Sequence, residues 1–228
     1  MTADKKTSLR AAEILFDIGA VYFNPEKPFM LTSGWASPVY IDCRKIISFL
    51  EERREIIRAA ADLLSRECDL SGVDYIAGGE TAGISYAAWI SEVLSKPMLY
   101  VRKKSKGFGR GAQIEGQMKG GARVLLVEDL TTDGASKVAF ANALRDGGAI
   151  VDDVFSVFFY GIFEETPQIF KDAGLKIHYL ATWKDVLETA RRKNIFPETV
   201  LAEVEQFLRQ PAEWSREHGG SFERKKSA

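Results

Sequence analysis

Two adjacent carboxylates, Glu128 and Asp129, follow the apolar residues Val124 to Val127 and precede Leu130, Thr131, Thr132, Asp133, Gly134, Ala135 and Ser136. The apolar run reads as a buried strand, and the small hydroxyl and glycine residues behind the acids read as a loop that opens a helix. At the carboxyl end of a strand in a parallel sheet, such a segment lies where ligands bind. Ionised carboxylates accept hydrogen bonds from a vicinal diol and attract a divalent cation. Free N–H groups and hydroxyls at a helix start suit a phosphate. One segment therefore has the chemistry to hold a phosphorylated ribose; the plain alternative is a polar turn with ordinary capping residues.

Three further segments carry candidate chemistry. Tyr100 to Gly116 holds the cations Arg102, Lys103, Lys104, Lys106 and Arg110 among glycines, with no hydrophobic period. It reads either as a mobile flap that clamps a polyanion or as a solvated surface loop. Gly107 to Ala112 matches a dinucleotide-type glycine pattern, but a basic run precedes it and more glycines follow it in place of a helix. Ala77 to Ile84 passes from a strand through Gly78, Gly79 and Gly83 into a helix, which fits an anion loop or close helix-to-strand packing equally well. Phe29 to Asp42 reads as a hairpin against which a planar base can sit.

The elements that position these segments alternate in type. A helix over Leu9 to Ile18 is followed by extended segments over Phe29 to Ile41 and a helical rhythm over Glu51 to Glu67. Strand patterns at Val73–Ala77, Met98–Val101, Val124–Val127, Val154–Phe159 and Ile177–Ala181 then alternate with helices at Ala82–Leu94 and Ser136–Leu144. This spacing implies an open α/β sheet with parallel pairing. Thr166 reads as a cap before Pro167, and Thr182 with Asp185 as a capping pair. Two helices fill Trp183 to Leu208, and beyond Pro211 the composition predicts a frayed polar tail.

Composition excludes several classes. The 228 residues carry 31 Lys+Arg against 32 Asp+Glu, a net charge of −1, so no polybasic nucleic-acid or membrane-surface protein is indicated. With 46% hydrophobic residues the chain also falls outside the disordered class. The apolar stretches are far short of a membrane span, and no export signal is visible. Cys43 and Cys68 form no Cys-x-x-Cys pattern and indicate neither a disulfide framework nor a zinc site, which fits a reducing cytoplasm. His178 and His218 lie outside the four segments and read as structural.

Four motifs in order carry a resemblance: Thr32-Ser33-Gly34-x-x-Ser37-Pro38, Gly78 to Ile84, Val101-Arg102-Lys103-x-x-Lys106-Gly107-x-Gly109, and Val127 to Ser136. Together they resemble the orotate phosphoribosyltransferases, within the type I phosphoribosyltransferases, over about residues 10–210. The resemblance implies a type I fold: an open, mainly parallel sheet flanked by helices in one domain over residues 1–210. A small N-terminal hood over about residues 1–45, a basic flap over about 102–121 and a tail over 211–228 complete the expected organisation. It implies formation of orotidine 5′-monophosphate from orotate and 5-phosphoribosyl 1-diphosphate in pyrimidine biosynthesis. Mg²⁺ would be carried mainly by the substrate's diphosphate and ribose hydroxyls, with no residue assigned as a metal ligand.

The family's roles fall on numbered positions of this chain. Arg102, Lys103 and Lys106 would contact diphosphate, with Lys103 acting in the neighbouring subunit of a homodimer. Glu128 and Asp129 would bind the ribose hydroxyls, and Leu130, Thr131, Thr132, Asp133, Gly134, Ala135 and Ser136 would form the 5′-phosphate loop. Thr132 would also touch orotate, whose ring would face the backbone of Tyr40 and Ile41; Lys106, Lys103 and Asp129 are the expected catalytic set. Thr32 and Ala82 stand where many members carry lysine, Phe108 stands where a histidine is common, and Phe158 to Phe163 lack the usual orotate-binding arginine. Lys104, Arg44 and Lys45 are the candidate replacements. Two other readings stay open, a regulator that keeps the site as a sensor and a phosphoribosyltransferase for another base, and base-dependent turnover separates them.

Overall fold

The computed structural model describes residues 2–31, 34–105 and 113–221. Helix α1 (Lys5–Asp17) begins at Asp4, whose carboxylate accepts a 3.0 Å hydrogen bond from the Thr7 N–H, and it ends just before Gly19 at φ +65°. Strands β1 (Val21–Phe23) and β4 (Val39–Ile41) pair antiparallel, as do β2 (Phe29–Met30) and β3 (Ala36–Ser37). These two short ribbons form the hood. A 3₁₀ turn at Cys43–Ser48 leads into α2 (Leu50–Glu67).

The central sheet is built from β5 (Tyr75–Gly79), β6 (Met98–Val101), β7 (Ile114–Glu115), β8 (Val124–Thr131), β9 (Asp153–Phe159) and β10 (Lys176–Thr182), in the order β10-β9-β8-β5-β6-β7. All neighbours are parallel except the edge pair β6 and β7. Helix α3 (Ala82–Leu94) connects β5 to β6, and α4 (Ala135–Asp146) connects β8 to β9. Because β6 lies on one side of β5 and β8 on the other, the strand order reverses between β5 and β8. A crevice must open there, at the carboxyl ends of the strands.

Period-two alternation divides β8 between two cores. Leu125 and Val127 face a cluster with Tyr86, Ile90 and Phe155, while Val124 and Leu126 face Phe140, Leu144 and Phe170. The strand also runs further than the apolar run predicts. Glu128 to Thr131 remain paired with β9, so the acid pair belongs to the strand and not to a loop.

After α5 (Thr166–Asp172) come α6 (Trp183–Arg192), α7 (Glu198–Arg209) and α8 (Pro211–Glu217). Thr182 and Asp185 form a capping box, as their spacing predicts. Thr166 is not the cap: Glu165 takes that position, and the Thr166 hydroxyl is buried without a hydrogen-bond partner among the described residues. The frayed tail is also replaced by structure as far as Ser221. Trp214 of α8 is buried edge-on against Phe207 at 5.5 Å, and His218 stacks on Trp214 at 3.6 Å. Ser215 Oγ accepts a 2.9 Å bond from the Ala36 N–H and donates a 2.6 Å bond to the Ser221 carbonyl, while the Ser221 N–H donates to Gly34. Helix α8 and the residues up to Ser221 thus clamp the hood. No helix among the described residues is long and apolar enough to cross a membrane.

Candidate active site

The crevice between β5 and β8 brings three of the four sequence segments together. On one side β5 ends at Gly79 and turns through Glu80 into α3. The Glu80 N–H donates to the Val101 carbonyl, and the Glu80 carboxylate accepts a 2.7 Å bond from the Lys103 N–H, which anchors the start of the basic segment. Arg102 continues the edge pairing through its N–H to the Gln113 carbonyl, and its guanidinium lies 3.5 Å from Glu115. Part of the segment expected to lack packed elements is therefore strand. Lys106 and Thr32 lie outside the described residues.

The glycines of the turn have a packing reason. A Cβ on Gly78 would strike the backbone of Gly83 and Ile84, and a Cβ on Gly79 or Gly83 would strike the Glu128 carboxylate. The turn rests directly on Glu128.

On the other side, strand alternation sends the two acids to opposite faces. Glu128 turns toward α4, buried, and its Oε2 accepts a 2.8 Å bond from Lys137 Nζ, itself buried. Lys137 Nζ also lies 3.2 Å from Ser136 Oγ in the turn that opens α4. Burial pushes the Glu128 carboxyl up to about 7, although the Lys137 charge and hydrogen bond pull it down. The two acids that the resemblance assigns to the ribose thus face apart, with Glu128 forming a buried floor beneath the glycine turn. Asp129 faces the other way, half-buried; burial raises its carboxyl, with Lys137 and Arg44 as opposing positive charges.

The turn after β8 divides similarly. Thr131 is fully buried, its hydroxyl 2.6 Å from Ser156 Oγ and its carbonyl accepting from the Tyr160 N–H. Its side chain is held within the sheet by that contact. Thr132, Asp133, Gly134, Ala135 and Ser136 form the remaining turn. Asp133 accepts a 3.1 Å bond from the Ala135 N–H, and Gly134 adopts φ +87° where a Cβ would meet the Phe170 ring. Only glycine meets both demands.

Within the hood, Ile41 is buried and Tyr40 is packed by Tyr22 at 6.0 Å and Phe29 at 5.7 Å. Arg44 donates to Asp42 at 2.6 Å and to the Tyr40 hydroxyl at 3.2 Å, and its charge is felt at Asp129. Lys45 is drawn away to the Gly19 carbonyl at 2.8 Å and over the Tyr22 ring. Of these two cations, Arg44 is the one placed toward the site. A surface hollow of about 330 Å³ beside Asp74, Tyr75 and Lys119 lies at the amino end of the strands and shares none of these residues.

Solved structures similar to this one include phosphoribosyltransferases. The chain is similar to the orotate phosphoribosyltransferase of Aeropyrum pernix, with a TM-score of 0.69 and 28% identity over 82% of this chain and 99% of that one. It is also similar to UMP synthase of Leishmania donovani, with a TM-score of 0.77 and 28% identity over 90% of this chain but 42% of that longer chain. The class that fold and crevice define is the type I phosphoribosyltransferases. Among curated relatives, the orotate phosphoribosyltransferase of Agrobacterium fabrum is 51% identical over 212 residues, 93% of this chain and 91% of that protein, and that of Ruegeria is 51% identical over 204 residues, 90% of each. No family model matches the chain. The chain belongs to the orotate phosphoribosyltransferase family.

Proposed function

We infer that the chain transfers the 5-phosphoribosyl group from 5-phosphoribosyl 1-diphosphate to orotate, giving orotidine 5′-monophosphate and diphosphate in pyrimidine biosynthesis. The observation that carries this reading is the arrangement of Asp129, the Thr132–Ser136 turn and the Gly79–Glu80 turn around the sheet's switch point, in a chain about half identical to curated members of the family. Breaking the bond from ribose C1 leaves positive charge on the sugar and negative charge on the departing diphosphate. Groups that bind the departing charge more tightly than the ground state lower the barrier.

Asp129 accepts the ribose hydroxyls; Glu128 supports the turn opposite. Thr132 to Ser136, with the N-terminus of α4, hold the 5′-phosphate. Arg102, Lys103 and Lys106 receive the diphosphate, Lys103 from the neighbouring subunit of a homodimer. Tyr40 and Ile41 line the base, and Arg44 offers a cation to its carboxylate. The donor set fits Mg²⁺ carried by the substrate: Asp129 is a hard oxygen donor on the crevice side, whereas Glu128 is committed to Lys137. Mg²⁺ supplies neutralisation of the leaving diphosphate. The enzyme works in the cytoplasm.

The test is loss of orotate absorbance on mixing the protein with 5-phosphoribosyl 1-diphosphate and Mg²⁺, with adenine, hypoxanthine and uracil in parallel. Orotate alone should be consumed, chelation should stop it, and Asp129→Asn should weaken binding of the diphosphate substrate. Consumption of another base, or none with any base despite substrate binding, overturns the reading.

A further inference from the structure

At the amino end of the sheet, away from the crevice, three donor side chains from separate elements converge. Cys68 ends α2, Asp153 starts β9, and His178 lies in β10 beside Phe155. Cys68 Sγ is 3.4 Å from His178 Nε2, and that same nitrogen is 2.7 Å from Asp153 Oδ1. All three donor atoms lie within 4.8 Å of one another.

A nucleophilic triad needs the thiol and the carboxylate on different ring nitrogens. Here both address Nε2, while Nδ1 is buried with no partner among the described residues. Thiol, imidazole and carboxylate aimed at one point are the donors of a borderline-soft divalent ion. We propose that Cys68, Asp153 and His178 form a binding site for one Zn²⁺, with the fourth coordination position open to water.

The geometry requires little movement. Tetrahedral zinc, with bonds of about 2.3 Å to sulfur and about 2.0–2.2 Å to nitrogen and oxygen, sets sulfur and nitrogen about 3.6 Å apart and nitrogen and oxygen about 3.4 Å apart. The first separation is nearly met at 3.4 Å; the second needs Asp153 to swing out by about 0.7 Å. The Asp153 side chain keeps 21% exposure while His178 keeps none, so the carboxylate side is free to move and gives the ion its entry. On binding, the Cys68 thiol gives its proton to solvent as Zn²⁺ takes its place on sulfur, and His178 binds through Nε2 with its ring proton on Nδ1. One proton is released per ion. Because Nδ1–H then lacks an acceptor, affinity falls below that of a four-ligand structural zinc site.

The sequence hides this site because its ligands stand 110 and 25 residues apart, outside any short metal-binding spacing. The test strips the full chain with a chelator and titrates it with Co²⁺ and then Zn²⁺. One equivalent of Co²⁺ should give the visible bands of tetrahedral cobalt with a thiolate charge-transfer band, and Zn²⁺ should bleach both. Cys68→Ser should lose the charge-transfer band and at least about tenfold in Zn²⁺ affinity, with orotate consumption unchanged. Absence of the charge-transfer band in the unmodified protein, or its persistence in Cys68→Ser, overturns the site. Calorimetry of the unmodified protein in two buffers of different ionisation enthalpy needs no variant: one proton released per Zn²⁺ supports the site, and none overturns it. Loss of metal binding with intact transfer leaves the transferase reading untouched.

Discussion

Replacing Lys137 by methionine should destabilise the protein in a way that depends steeply on pH. In the unfolded chain Glu128 ionises near 4.5, whereas in the folded protein burial lifts it to about 7 even with Lys137 alongside. The stabilising contribution of the protonated carboxyl is therefore complete below pH 4.5 and is lost as pH rises to 7, about 3 kcal/mol in all. Without Lys137 the charge and hydrogen bond that hold the carboxyl down are gone, and the carboxyl stays protonated well above 7. At pH 6 both proteins fold with Glu128 protonated, so the electrostatic difference is close to zero. At pH 7.5 the variant is less stable by about 1 kcal/mol, and at pH 9 by more, growing by about 1.4 kcal/mol per pH unit for as long as its carboxyl stays protonated. Urea denaturation of both proteins at the three pH values reads this directly. A penalty of equal size at all three, or none at pH 9, would refute the buried pair as the origin of the shift.

Two further substitutions probe the crevice and the clamp. Gly83→Ala places a methyl group against the Glu128 carboxylate and the Val127 carbonyl and should cost about 1–3 kcal/mol with a raised KM for 5-phosphoribosyl 1-diphosphate; Gly120→Ala, whose added methyl meets nothing within 4 Å, is the control in the same assays. Trp214→Ala should cost about 3–5 kcal/mol in thermal or urea unfolding by leaving a cavity beside Phe207, and wild-type stability in that variant would deny α8 its packing role.

Five of the six strands of the sheet were legible because each is a short apolar run set between helical periods, whereas two-residue β7 and the order of the strands that opens the crevice were not. The acid pair's location was legible for the same reason, but its division was not. Whether Glu128 faces the ligand or α4 depends on how far β8 extends, and the polar residues Glu128 to Thr131 hide that extension. One signal was present: Lys137, Phe140, Ala141 and Leu144 share the spacing of a buried helix face, so a lysine stood among core positions. Alpha-helix α8 escaped notice because seven residues with one tryptophan are too few to show a period. Arg44 gained its place from the 3₁₀ turn, whose geometry no residue pattern announces.

The clamp between Ala36 and Ser215 joins positions 179 residues apart in the chain. During synthesis the hood strands leave the ribosome early, whereas their anchor in α8 is made only after every strand of the sheet. A nascent chain that has reached α7 already holds every strand of the sheet and the turns around the crevice, but its hood is untethered. Chain growth thus sets an order in which the crevice can form ahead of the anchored hood, and contacts of such high sequence separation slow the docking of the hood.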